Sequence, residues 1–104
     1  MLYKRTELIE RLTTWINEHG GEPESWYVGI THAPEQALFD KPPEGHNVKR
    51  EGEHWITGLS SAGANAKQVQ SYLADTLGVQ VIEGPATSES VFIYAYRKSS
   101  GTTP

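Results

Sequence analysis

One short stretch near the C-terminus limits the fold more than any other. Val91-Phe92-Ile93-Tyr94-Ala95-Tyr96 is apolar or aromatic at every position. Alternate side chains of an extended chain point to opposite faces. Val91, Ile93 and Ala95 therefore share one face, and Phe92, Tyr94 and Tyr96 the other. A strand that is apolar on both faces calls for cover on both. A chain of 104 residues builds one modest core, so that cover has to come from a few helices.

The helices are legible as apolar stripes. Over residues 3–19, Leu8, Leu12, Trp15, Ile16 and His19 recur three and four apart, and Ile9 widens the stripe. His19 and Gly20 suit the last turn and the stop. Over residues 62–77, Ala62, Ala66, Val69, Leu73 and Leu77 form a second stripe behind the capping serines Ser60 and Ser61. Lys67, Gln68, Gln70 and Ser71 are expected to face away, and Gly78 to end the helix. Pro34 starts a short helix carrying Leu38 and Phe39.

Four strands are predicted, over residues 26–31, 54–59, 79–83 and 90–98. In the first, Trp26, Val28 and Ile30 point one way, and Gly29 is a weak strand former that admits a close neighbour. Turn residues 84–89 predict an antiparallel hairpin between the last two strands. Residues 41–53 hold Pro42, Pro43, Gly45 and Gly52 with Val48 as their one aliphatic side chain, which predicts a long surface loop. The order α-β-α-β-α-β-β predicts an α+β domain over residues 1–98. It has one four-stranded, largely antiparallel or mixed sheet packed by two main helices and a short one. Residues 99–104 are expected to be a disordered tail.

Charge and composition narrow the function. Nine basic against thirteen acidic residues leave a net charge of −4, which excludes a strongly basic nucleic-acid protein and is too mild for an acidic DNA mimic. The absence of cysteine excludes disulfides, a thiolate nucleophile and a thiolate zinc site, and favours a cytoplasmic home. The N-terminus carries charges where a signal peptide needs an apolar run, and no segment is long and apolar enough for a membrane. No cofactor is expected, since neither a Walker-type phosphate loop nor Gly-x-Gly-x-x-Gly occurs. There is no Gly-x-Ser-x-Gly elbow, and the serines serve as caps and turn formers.

Three weaker constellations remain. His32, His46 and His54 with Asp40 and Glu53 gather ligand chemistry in the middle third, but no histidine pair has helical i, i+4 spacing. Phe92, Tyr94 and Tyr96 followed by Arg97 and Lys98 form either a base-stacking face or core beneath a helix. Lys49-Arg50 lies beside Glu44, Glu51 and Glu53, so its local field is near neutral or negative.

Trp26-Tyr27-Val28-Gly29-Ile30-Thr31, followed by Pro34 and a helix ending in Leu38-Phe39, resembles the second half of the GIY-YIG nuclease signature. The resemblance implies that Tyr27 matches the signature tyrosine. It also implies a helix arginine near Gln36 or Ala37, and a metal-binding glutamate in the later helix. Neither charged residue is present, and no Gly-Ile-Tyr strand precedes Tyr27, so an inactive relative is implied. Residues 26–97 also resemble a group of short bacterial or phage-borne proteins with no assigned activity.

The leading expectation is a non-enzymatic binding domain whose partner is a protein, including a second copy of itself. The alternative is an inactive GIY-YIG-like module that holds nucleic acid, with Tyr27, His32, Arg50, His54, Trp55 and Arg97 as contacts. A metal-dependent hydrolase using His32, His46, His54 and Glu53 ranks last.

Overall fold

The computed structural model describes residues 2–19, 22, 25–42, 45–48, 55–61, 63–82, 92–98 and 102. Among them run β1 (Leu2–Tyr3), α1 (Arg5–His19), β2 (Trp26–Thr31) and α2 (Pro34–Phe39). These are followed by β3 (Trp55–Ser60), α3 (Gly63–Leu77), β4 (Gln80–Val81) and β5 (Phe92–Arg97). The fold is α+β. The four expected strands are present, and a two-residue strand, β1, joins the sheet ahead of α1.

The strand order is β1-β3-β5-β2-β4. β1 pairs parallel with β3 and β2 parallel with β4, while β5 is antiparallel to both β2 and β3. Four strands therefore run one way, and β5 alone runs against them from the centre. The chain steps across the sheet in one direction from β1 to β2 through α1, and again from β3 to β4 through α3. It steps back from β2 to β3 through α2. Crossovers between parallel strands share one hand, so forward and backward steps must place their helices on opposite faces. α1 and α3 accordingly pack over Trp26, Val28, Ile56, Ile93 and Ala95. The second face, with Tyr94 and Tyr96, is covered by Leu38 of α2 and by Val48. The two-faced apolarity of β5 follows from its central position.

Local chemistry fixes the elements. Glu7 Oε1 accepts the backbone N–H of Lys4 at 2.8 Å, one arm of a capping box at the start of α1. At the other end, an Arg97 guanidinium N–H donates to the His19 carbonyl at 3.1 Å and satisfies an orphan helix acceptor. Gly78, at φ +84°, ends α3 as expected. Gly29 also does what its weak strand propensity suggested: the Tyr94 ring from the facing position of β5 lies directly over it, in the space a Cβ would need.

Three expectations are corrected. β4 and β5 do not form a hairpin, because β2 lies between them. The ten residues separating Val81 from Phe92 suffice to step over one strand, about 10 Å. Gln70 does not face away. It is buried at 1% exposure, and its amide donates to the carbonyls of Val28 (2.9 Å) and Ile82 (3.3 Å). The expected surface loop is, in its described part, tied to α2. His46, Asn47 and Val48 donate backbone N–H bonds to Ala37, Asp40 and Leu38, and Gly45 and Val48 are buried. The expected tail, the 84–89 turn and residues 49–54 lie outside the described residues, apart from Thr102.

Candidate functional site

The face beneath α2 holds most of the aromatic side chains on which a binding role was expected. Pairing aligns Tyr27, Tyr96 and Trp55 in one row across β2, β5 and β3, with Gly29, Tyr94 and Thr57 in the next. The Tyr27 and Tyr96 rings stack at 5.4 Å, and the Lys98 ammonium lies 5.8 Å from the Tyr27 ring centre. Trp55 meets Phe39 edge to face at 5.0 Å. His46 stacks on Tyr96 at 5.0 Å, and its Nε2 shares a 2.9 Å hydrogen bond with the Tyr94 hydroxyl. Burial pushes the Tyr94 pKa up to about 12. Tyr96 is raised further, first by burial and then by the neighbouring phenols of Tyr94 and Tyr27. The Tyr96 hydroxyl is buried with no hydrogen-bond partner among the described residues.

This face is core. With Tyr94 and Tyr96 at 3% and 0% exposure, these two rings are packed inside the domain; Phe92 alone of the three is partly exposed. Of the six nominated contacts, Tyr27 and Trp55 come together through Tyr96. His32 is exposed just past the end of β2, about 16 Å along the strand from Tyr27. Arg97 projects to the opposite face and is engaged by the C-terminus of α1. Arg50 and His54 lie outside the described residues, as does Glu53. Among the described residues no three potential metal ligands converge.

The sheet edge holds a feature that periodicity did not disclose. β1 pairs only with Leu59 and Ser60, so among the described residues no strand lies beside Ile56, Thr57 and Gly58 on that side. An open groove of about 430 Å³ runs there between α1 and β3, walled by Glu7, Glu10, Arg11, Trp15 and Glu18 and floored by Tyr3 and Ile56. It adjoins a second hollow of about 220 Å³ that reaches Trp55 and Thr57. Arg11 crosses the groove. Its guanidinium lies 5.2 Å from the centre of the Tyr3 ring, and its Nε–H donates to the Thr57 carbonyl at 3.1 Å. That bond shows which way the ladder faces. The polar backbone groups of one strand residue point to the same side in an antiparallel pair, so the N–H of Thr57 is directed to the edge as well.

Among the described residues, this edge presents a strand segment with no neighbouring strand, a recess beside it and an acidic wall. No family model, curated protein or solved structure matches the chain.

Proposed function

We propose that this protein is a non-enzymatic interaction domain that takes an extended segment of another polypeptide onto the edge of β3. The observation that carries this is the edge of β3: among the described residues no strand lies beside Thr57, whose outward N–H and C=O border the hollow next to the α1 groove. Unpaired strand edges template the addition of a further strand. Main-chain bonds then supply affinity, and recesses for alternate side chains supply selectivity. Among the described residues, the bond from Arg11 to Thr57 covers the edge in the free protein and is exchanged on docking.

The nucleic-acid alternative draws less from the same structure. The tyrosines that would stack bases are packed beneath α2, and Arg97 is committed to α1.

The test is an isotope-edited NMR titration with short peptides of alternating pattern, followed at the outward amide of Thr57 and at Ile56 and Gly58, whose amides face β5. Binding is expected to shift all three and to slow exchange at Thr57. Thr57→Pro removes the outward donor without touching the ladder to β5 and abolishes binding, whereas Thr57→Val retains it. Peptides that leave the Thr57 amide unchanged, or that bind Thr57→Pro as well as the wild type, refute the proposal. Slowed exchange of the wild-type Thr57 amide provides the same answer should the proline variant not fold.

A further inference from the structure

The groove is chemically one-sided. Glu7, Glu10 and Glu18 lie along its α1 wall, all exposed, against one guanidinium, that of Arg11. Arg11 is already engaged with the Tyr3 ring and the Thr57 carbonyl. From Glu7 to Glu18 the wall extends about 16 Å along the helix, the length of about five residues of extended chain. On the other side of the sheet the same edge is bordered by Trp55, partly buried against Phe39. A docked strand sends alternate side chains to these two sides. One set meets carboxylates and the other an aromatic rim.

We infer that the segment this edge accepts is an extended stretch alternating basic and apolar residues, with its lysines or arginines facing α1 and its apolar residues facing Trp55. This inference rests on the strand-docking role proposed above and adds the chemistry of the partner. A second copy of the chain is the less favourable occupant. Edge-to-edge pairing of two copies would bring two acidic walls together, and like charges in register oppose association.

The probes are three capped peptides about eight residues long, alternating valine with lysine, glutamine or glutamate. Each is titrated against the wild-type protein and against the double variant Glu10→Gln/Glu18→Gln. The Lys–Val peptide is expected to bind at least about tenfold tighter than Gln–Val, the sum of two modest exposed ion pairs. Glu–Val is expected not to bind. Raising the salt removes the Lys–Val advantage, and the double variant removes it at low salt. Equal binding of Lys–Val and Gln–Val, or a lysine preference that survives in the double variant, overturns the inference while strand docking stands. Lys–Val shifts confined to α1, with the edge amide of Thr57 unchanged, also overturn it. Silence of that amide toward all three peptides takes down the docking role itself. Sedimentation that reveals a dimer protecting the Thr57 amide makes a second copy the occupant and overturns the basic partner.

Discussion

Gln70 gives the sharpest test of how this fold is held together. Its side-chain amide donates to Val28 O and Ile82 O, and its Oε1 accepts from Lys67 Nζ at 3.2 Å. It thereby ties α3 to both β2 and the end of β4. Gln70→Leu conserves volume and deletes the bonds. Val28 O remains satisfied by the Ile82 N–H at 2.9 Å, so the loss falls on the part-buried carbonyl of Ile82. Removing its donor costs about 1–3 kcal/mol, and the gain from burying leucine offsets about 1 kcal/mol. The net loss of about 0–2 kcal/mol lowers Tm by up to about 15 °C in a domain of this size. Gln70→Ala adds an unfilled volume and is expected to cost about 1–2 kcal/mol more. Gln70→Glu is expected to be the worst at neutral pH, since it sets a buried carboxylate against two carbonyl oxygens. It should recover in part on acidification, when the carboxyl becomes a donor. Thermal melts give the ranking, and amide exchange at Gln80–Ile82 locates the damage. A leucine variant more stable than the wild type, or a glutamate variant no worse than leucine at neutral pH, refutes the role assigned to this amide.

Two further outcomes follow from the face beneath α2. Tyr94 has its folded-state pKa raised from 10.0 to about 12 by burial, so the folded state holds its proton more tightly than the unfolded chain. Its contribution is complete below pH 10 and is lost as pH climbs toward 12, an alkaline destabilisation of about 2–3 kcal/mol. Denaturant midpoints across that window should fall less steeply in Tyr94→Phe than in the wild type, and parallel slopes would contradict the assignment. Gly29→Ala forces the new methyl into the Tyr94 ring. It should cost about 1–3 kcal/mol and displace the His46 ring resonances in NMR spectra, whereas an unshifted midpoint would show that the ring is not held over Gly29.

What was legible in the sequence was whatever has a short period. The stripes Leu8–Leu12–Ile16 and Ala66–Val69–Leu73, the alternation of Trp26 and Val28, and the glycines at positions 29 and 78 act between near neighbours, and each lies where its pattern placed it. Even the demand of β5 for cover on both faces was plain from six consecutive residues. Gln70 was misread because periodicity scores polarity and not partnership. A glutamine is buried when two carbonyls from distant strands wait for it. The segment 45–48 was misread because backbone bonds to α2 leave no mark on side-chain composition.

The sequence by itself determined the three helices, four of the five strands and their apolar faces. The tertiary structure decided which strands are neighbours. β5 sits between β3 and β2 and not beside β4, because the shared hand of the crossovers sorts the helices to opposite faces and leaves the central slot to the one reversed strand. It also decided what lies beside the edge of β3. The Arg11 side chain of α1 reaches the Thr57 carbonyl and the α1 groove runs along Ile56, a meeting of segments distant in sequence and invisible in either one alone.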